Sequence, residues 1–178
     1  MTENERILAL EEIKKLKARY FRTLDTKDWA GYLAVFTADA IIDSTEAYTP
    51  RDLKGAPIVF DGVVPPAPNP EWHSHGDPAA FAKDLAKTLE GVQTTHHGHM
   101  PEIEFTSDTT AEGIWAMEDM LRWPTGAPIR EMHGYGHYRE TYEKVGGQWL
   151  IKSRALTRIR VDQGVVGKDQ DVMHASAA

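Results

Sequence analysis

The chain has 178 residues, 41% of them apolar, which is enough to bury the core of one domain. Its 27 acidic and 20 basic residues give a net charge of −7, and the basic residues form no stripe, so neither nucleic acids nor membrane surfaces are expected partners. The absence of cysteine excludes disulfides, thiolate metal sites and cysteine nucleophiles.

The first residues, MTENERILALEE, are rich in acidic groups and lack the basic start and apolar run of a signal peptide. No apolar stretch elsewhere in the sequence is long enough to span a membrane. We therefore expect a cytoplasmic protein.

The N-terminal sequence predicts a long helix followed by a short one. Thr2 and Glu5 have the spacing of a capping box, and apolar residues then recur at helical intervals as far as Leu24. The polar break at 25–28 can cap a second helix, whose apolar spacing continues to Phe36.

The middle of the chain predicts a short strand, a long loop and a third helix. The strand is expected at 40–43 because it contains two isoleucines. Residues 44–77 are rich in proline, glycine and polar side chains, which favours a long loop that could act as a lid. Pro78 suits a first helical turn, and apolar spacing extends that helix to about Leu89.

Strand-like runs follow the third helix and are expected to pair as an antiparallel meander. The turn Val145-Gly146-Gly147 readily takes positive φ and indicates a tight hairpin. The residues from 163 to 178 show no periodicity and are expected to form a loose tail or an oligomer contact. The runs cover 92–105, 110–123, 129–144 and 149–161.

The last run alternates in a way that predicts one buried face. Its middle positions, such as Ala155, are small, so the sheet is expected to leave space there for a ligand. Helices followed by a long antiparallel sheet form an α+β architecture, expected here as a single domain over 1–162. The predicted inner residues are Trp149, Ile151, Ser153, Ala155, Thr157, Ile159 and Val161, and the outer ones are Gln148, Lys152, Arg154, Arg158 and Arg160.

Asp119 places a carboxylate in the middle of an apolar strand face that also carries Trp115, Met117 and Leu121. If that face is buried, Asp119 must be paired, protonated or beside a wet cavity, because burying an unpaired ion is costly. If the strand is turned over, Asp119 lies in solvent. The pattern leaves both orientations open.

The segment THHGHM offers several histidines on the preceding strand. Adjacent strand residues point to opposite faces, so His96 and His97 cannot both enter a pocket. A histidine beside Asp119 could act as a general base, and a structural histidine is an equally good interpretation. We expect no metal, because no ligand spacing is evident among the further histidines His99, His133, His137, His73 and His75.

Tyr20 lies on the apolar stripe of the first helix, so its ring is expected to pack inward with its hydroxyl near a polar partner. A core tyrosine bonded to the backbone is the plainer interpretation. Asp25 can join Tyr20 only if the helix ends near Leu24, and it otherwise caps the second helix.

Three stretches of the sequence resemble the SnoaL-like family of the nuclear-transport-factor-2-like superfamily, particularly its bile-acid and scytalone dehydratase group. The resemblance implies a cone-shaped, cystatin-like fold, in which a curved antiparallel sheet and N-terminal helices enclose one deep pocket. It also implies that Tyr20, Asp25, His96 and Asp119 are the polar residues of that pocket. The stretches are IKKLKARYFRTLDTKDWAGYLAVFTADA, HHGHMPEIEFTSDTTAEGIWAMED and YRETYEKVGGQWLIKSRALTRIR.

These residues predict a cofactor-independent lyase of the dehydratase type, acting on a small or medium apolar molecule with a carbonyl or phenol. In this hypothesis His96, oriented by Asp119, removes a proton, and Tyr20 donates a hydrogen bond to the substrate oxygen. Asp25 positions Tyr20, the substrate or a water. The residues expected to contact the substrate are Trp115, Met117, Leu121, Tyr138 and Ala155.

Two other functions fit the same fold, because fold alone does not determine chemistry. An isomerase or polyketide-type cyclase would use the same base with a different outcome. A non-catalytic ligand-binding protein, or a subunit like the small partner of ring-hydroxylating dioxygenases, would need no base. The resemblance also implies a homo-oligomer, either a dimer or a trimer.

Overall fold

The computed structural model describes residues 1–52, 54–59, 62 and 64–165. In these residues the chain forms three helices and one curved five-stranded sheet that does not close on itself. The predicted α+β class is therefore confirmed. None of the helices in the described residues is long and apolar enough to cross a membrane.

The first helix begins at the cap that the sequence predicts, whereas Asp28, and not Asp25, caps the second. The Thr2 hydroxyl accepts the backbone N–H of Glu5, whose carboxylate accepts the backbone N–H of Thr2 in return. Asp28 and Asp77 cap the second and third helices through their side chains. The helices are α1 (Glu3–Asp25), α2 (Trp29–Leu33) and α3 (Pro78–Thr88).

The sheet has the order β1-β5-β4-β3-β2. Strands β2 to β5 pair antiparallel in sequence order, which confirms the predicted meander, whereas β1 joins the edge of β5 in parallel. Phe36 belongs to β1 and does not extend α2 as predicted. The strands are β1 (Phe36–Asp43), β2 (Gln93–Phe105), β3 (Thr110–Arg122), β4 (Ile129–Val145) and β5 (Gln148–Val165).

A two-residue turn joins β4 to β5. Gly146 has φ 58° and Gly147 has φ 86°, while Val145 and Gln148 face each other across the hairpin. Positive φ at both central residues matches the twist of the flanking strands and is readily available to glycine. This turn fixes the register of the long β4–β5 pair.

A β-bulge in β5 reverses the inward face of the strand. Tyr142 faces Ile151 and the neighbouring Thr141 faces Ser153, so Lys152 has no residue opposite it. One extra residue on one strand shifts every later side chain to the other face of the sheet.

The predicted face of β5 is therefore correct before the bulge and wrong from residue 153 to residue 159. A second register shift at Ile159 restores it, so that Val161 packs against the core as predicted. Arg154, Leu156 and Arg158, which the alternation predicts to be outside, are buried. Ala155 lies on the outward face instead, and Ile159 is 53% exposed. The bulge thus brings two guanidinium groups into the interior.

The segment 44–77 contains no helix or strand in its described residues, and isolated bridges link Asp43 to His73 and Arg51 to Pro57. Ser74 fastens its end to β1 by donating to the Ala40 carbonyl oxygen at 3.0 Å. Its action as a lid stays a prediction. The predicted tail at 163–178 begins inside β5, which continues to residue 165, and residues 166–178 lie outside the described part of the chain.

Candidate active site

A cavity of about 190 Å³ lies between the inner face of the sheet, the end of α1, α3 and the segment 44–77. Apolar walls come from α1, α3 and the strands, and Tyr20, His96, Asp119, Arg154 and Arg158 supply polar groups. An apolar cavity of about 150 Å³ is large enough to bind benzene. The cavity can therefore hold a small ring compound beside several charged groups.

His96 on β2 is held by a carboxylate at the end of α1. Asp25 Oδ1 lies 2.6 Å from His96 Nδ1, and Asp25 Oδ2 accepts the backbone N–H of His96 at 2.9 Å. Since a carboxylate can only accept hydrogen bonds, His96 Nδ1 carries a proton. In a neutral imidazole Nε2 then has a free lone pair, which is the arrangement of a general base.

Asp25 is an ionised partner for this histidine. Burial on its own would raise the pKa of Asp25, but hydrogen bonds from the His96 ring, the His96 backbone and the Thr94 hydroxyl lower it below its ordinary value. Lys27 Nζ donates to the same Thr94 hydroxyl at 2.7 Å. Asp25 therefore orients His96, and among the described residues no hydrogen bond or ion pair joins it to Tyr20.

Asp119 is buried on the inner face of β3 and is paired with Arg158. Arg158 Nη2 donates to Asp119 Oδ2 at 2.6 Å, Nε donates to the Ala47 carbonyl oxygen at 2.9 Å, and Nη1 lies 3.4 Å from Met117 Sδ. The ion pair with Arg158 offsets the free-energy cost of burying a carboxylate in an apolar face. Asp119 Oδ1 has no hydrogen-bond partner among the described residues.

Gly134 on β4 leaves the space that this ion pair occupies. It faces Asp119 across the β3–β4 pair, and a Cβ atom at this position would collide with Asp119 Oδ1 and Arg158 Nη1. A side chain here would therefore displace the carboxylate, the guanidinium or both.

Asp119 does not hold His96 in the way the sequence hypothesis requires. Asp119 Oδ2 is 3.9 Å from His96 Nε2, which is beyond hydrogen-bond distance, and the same oxygen accepts from Arg158. The carboxylate that orients the imidazole is Asp25. Asp119 instead lies on the Nε2 side of the imidazole, where a substrate would approach.

Tyr20 lines the cavity from α1 and is almost fully buried. Its ring packs against Phe21, Tyr32, Phe36 and Tyr138 at centroid distances of 5.5 to 6.0 Å. Burial raises the pKa of Tyr20 well above its ordinary value. Its hydroxyl is therefore protonated at neutral pH, and it interacts with the Tyr138 side chain.

Of the residues expected to contact substrate, Leu121 and Tyr138 line the cavity, and Trp115, Met117 and Ala155 do not. Trp115 is in the core, where Nε1 donates to the Tyr142 hydroxyl at 2.7 Å. Met117 lies behind the cavity wall against Arg158, and the bulge turns Ala155 to the outward face.

Sequence reasoning missed a buried ion pair beneath the cavity. Lys17 on α1 binds Glu140 on β4, and Glu140 also accepts from the Tyr142 hydroxyl at 2.5 Å. The Lys17 ammonium lies 3.7 Å from the centre of the Tyr138 ring. The helical spacing of Lys17 between Ile13 and Tyr20 was the available signal that it points inward.

The remaining strand histidines lie on the outward face of the sheet. His133 Nε2 is 2.9 Å from Glu118 Oε2, and His97 and His99 approach the other oxygen at 3.6 and 4.0 Å. His137 also lies on this face. Within the described residues, no group of three or more His, Cys, Asp or Glu side chains has an arrangement suited to a metal ion.

Comparison with solved structures supports the fold. A scytalone dehydratase candidate from Novosphingobium aromaticivorans superposes with a TM-score of 0.68 at 23% identity, covering 93% of each chain. A hexachlorocyclohexane dehydrochlorinase from Novosphingobium barchaimii superposes with a TM-score of 0.63 at 16% identity, covering 93% of this chain and 96% of that one.

Sequence comparison assigns the family. A Gibberella zeae protein named as a probable cyclase is 24% identical over 151 residues, which cover 83% of this chain and 89% of that protein. The family model of the SnoaL-like domain matches residues 5–155. The chain therefore belongs to the SnoaL-like domain family.

Proposed function

We propose that the protein is a cofactor-independent lyase that carries out a dehydratase-type elimination in the cavity, with His96 as the base. The observation that carries the proposal is the Asp25–His96 pair in the cavity wall, with the imidazole side chain only 8% exposed. The substrate class is a small or medium apolar molecule with a hydroxyl group β to a carbonyl, or a related phenol.

In the proposed reaction His96 Nε2 takes a proton from the carbon next to the carbonyl. Asp25 keeps the imidazole in the correct tautomer and stabilises the imidazolium that forms. A positioned general base of this kind contributes about 10²–10⁴-fold in rate. The C–H electron pair becomes the new C=C bond, and the C–O bond breaks as the hydroxyl takes the proton from the His96 imidazolium and leaves as water, which returns the base to its neutral form.

Tyr20 acts in this proposal as the donor to the oxygen on which negative charge accumulates. Its raised pKa keeps the phenol protonated, and its position in the cavity wall lets it reach a bound molecule. The Asp119–Arg158 pair contributes a polar wall on the Nε2 side of His96. None of these steps draws on a metal or cofactor.

The relatives agree with this type of chemistry. A dehydratase and a dehydrochlorinase each remove a small molecule from adjacent carbons, and both names occur among the structural neighbours. The probable cyclase favours a second candidate, an isomerase or cyclase that uses the same base without loss of water. The cytoplasmic location and the homo-oligomer expected from the sequence stay predictions.

The proposal is tested with β-hydroxy ketones such as 4-hydroxy-4-phenylbutan-2-one, in deuterated buffer, by mass spectrometry. The wild type is expected to form the enone with loss of water and to exchange the proton next to the carbonyl. His96→Asn should lower both rates by about 10²–10⁴-fold. His133→Asn is the matched control, because this histidine lies on the outward face.

The product mass separates the two candidates. Loss of water supports the dehydratase, whereas a product that keeps its water and gains mass only from incorporated deuterium supports the isomerase or cyclase. Equal rates in the wild type and His96→Asn, or neither elimination nor exchange across a panel of such ketones, would contradict both.

A further inference from the structure

Arg154 is a buried cation in the cavity wall that the proposed reaction does not use. It is 3% exposed, and its Nη2 donates to the Ser44 hydroxyl at 2.6 Å. Its buried Nε has no hydrogen-bond partner, and no other hydrogen bond of this guanidinium is formed with a described residue. The Nε and Nη1 groups of the guanidinium are therefore unused.

The other buried charges in this region are matched. Arg158 binds Asp119, and Lys17 beneath the cavity binds Glu140. None of the ion pairs formed by the described residues includes Arg154. Because a guanidinium stays protonated in proteins, the interior of the cavity has one positive charge with no paired carboxylate.

The remaining acidic groups of the cavity lie at its mouth. Asp84 is 74% exposed in its side chain and pairs with Lys87, and Glu71 is exposed on the segment 44–77. Exposed carboxylates are screened by water and salt, so neither compensates a charge in the interior.

The surroundings of Arg154 are mainly aromatic. The buried carboxylate of Glu140 lies opposite Arg154 in the β4–β5 pair and attracts its charge, but it forms its ion pair with Lys17 and none with Arg154. Its guanidinium carbon lies 5.2 Å from the ring centre of Tyr138 and 5.8 Å from that of Tyr20. Burial raises the pKa of both tyrosines, so their hydroxyls are neutral. Ring faces stabilise the cation weakly and leave its edge free for an acceptor.

We propose that Arg154 binds an anionic oxygen of the ligand, and that the substrate is a small ring compound carrying a carboxylate or an equally acidic enol or phenol. A planar guanidinium with unused donors matches a delocalised oxyanion, which would complete both its hydrogen bonds and its charge. The inference rests on the proposed function only in calling this ligand the substrate.

The test compares charged and neutral ligands of the same shape by isothermal titration calorimetry at neutral pH. The probes are benzoate with benzamide, and 2-naphthoate with 2-naphthamide. We expect the wild type to bind at least one carboxylate about 10- to 100-fold more tightly than its amide, the range expected for hydrogen bonds to a charged group. Arg154→Met should lose that preference.

Arg139→Met provides the charge-matched control, because Arg139 is exposed on the outward face of β4. This variant should keep the full carboxylate preference. If Arg154→Met does not fold, the wild-type comparison decides alone. Absence of a carboxylate preference in both pairs, including absence of any binding, would overturn the proposal.

Two further experiments separate a failure of the base mechanism from a failure of the anion site, and a carboxylate ligand from an ionised phenol or enol. His96→Asn should keep the carboxylate preference even if it abolishes turnover, so a failed base mechanism and a failed anion site give different results. Titration with 4-nitrophenol distinguishes the two oxyanion sources, because binding of the phenolate raises or shifts its absorbance and binding of the neutral phenol bleaches it. Tight binding of the phenolate indicates an ionised phenol or enol, and a stronger preference for 2-naphthoate indicates a carboxylate.

Discussion

The two faces of strands β2 and β3 present the same kinds of side chain in opposite environments. On the inner face the imidazole of His96, which is 8% exposed, binds one carboxylate, Asp25 from the end of α1. On the outer face one carboxylate, Glu118, is shared by several histidines, and His97 beside it is 48% exposed. Neighbouring residues of one strand thus differ in chemistry, because the pleat directs one side chain into the protein interior and the next toward water.

The outer cluster is held by ordinary surface interactions. A hydrogen bond from His133 lowers the pKa of Glu118, and the Tyr135 hydroxyl lies 3.0 Å from the other nitrogen of that histidine. Water and salt screen these contacts, whereas the inner pair is desolvated and fixed by the backbone as well. Histidine–carboxylate proximity alone therefore does not identify a catalytic pair.

The largest expected contrast is in turnover of the two carboxylate variants. Asp25→Asn should lower kcat by about 10²–10⁴-fold, because the amide no longer stabilises the imidazolium or selects its tautomer. Glu118→Gln should change kcat by less than about twofold, since it touches only the outer cluster. Steady-state kinetics on a turned-over β-hydroxy ketone measures both. A fully active Asp25→Asn enzyme would remove the distinction between the faces.

The next contrast compares two lysines in urea-induced unfolding. Lys17→Met should lower the free energy of unfolding by about 3–5 kcal/mol, because it leaves Glu140 buried without its partner. Lys152→Met, which breaks an exposed pair with Asp39, should cause a much smaller loss, because water and salt screen that pair. The double variant Lys17→Met/Glu140→Gln should recover part of the loss. Equal losses in the two single variants would show that burial of the ion pair has no effect.

A smaller effect is expected from adding one methyl group on the inner face. Gly134→Ala should lower the free energy of unfolding by about 1–3 kcal/mol, because the new Cβ displaces Asp119 or Arg158. Ala155→Ser adds one atom on the outward face of β5 and should change it by less than about 0.5 kcal/mol. Urea titration of both variants makes the comparison, and an undisturbed Gly134→Ala protein would contradict the packing described here.

The smallest effect concerns acid stability and salt. Asp25 has a lowered pKa in the folded protein, so its contribution is complete above the ordinary carboxyl value of 3.8 and is lost as pH falls through the folded value. The difference in unfolding free energy between the wild type and Asp25→Asn should therefore shrink only in that acidic range. Glu118→Gln should show the same direction, but added salt should remove its difference. If added salt also removed the difference in unfolding free energy between the wild type and Asp25→Asn, the Asp25–His96 pair would behave as a surface contact, which would contradict its burial.

The sequence predicts the secondary structure well where the signal is local. Helical periodicity, the Thr2–Glu5 box and the Gly146-Gly147 turn each depend on residues close together in the chain. The inward face of β5 could not be predicted in the same way, because the bulge at Lys152 exists only through the pairing of β5 with β4. Strict alternation consequently assigned Arg154 to the wrong side.

The same error explains the incorrect pairing predicted within the site. With Arg158 assigned to the outside, Asp119 had no visible partner, and the nearest imidazole, His96, was the natural choice. In the structure Arg158 takes that carboxylate, and His96 binds Asp25, which is 71 residues distant in the chain. The resemblance to the family implied which residues meet in the pocket, but their contacts depend on the three-dimensional arrangement.

The segment between β1 and α3 touches both cavity arginines. Ser44 accepts from Arg154, and the Ala47 carbonyl accepts from Arg158, while Trp72 adds to the wall. One contiguous stretch of gene therefore encodes part of the cavity wall and the anchors of both cations. Recombination or length change confined to this stretch would diversify substrate choice among descendants of the protein, while the strands that carry the imidazole are inherited unchanged.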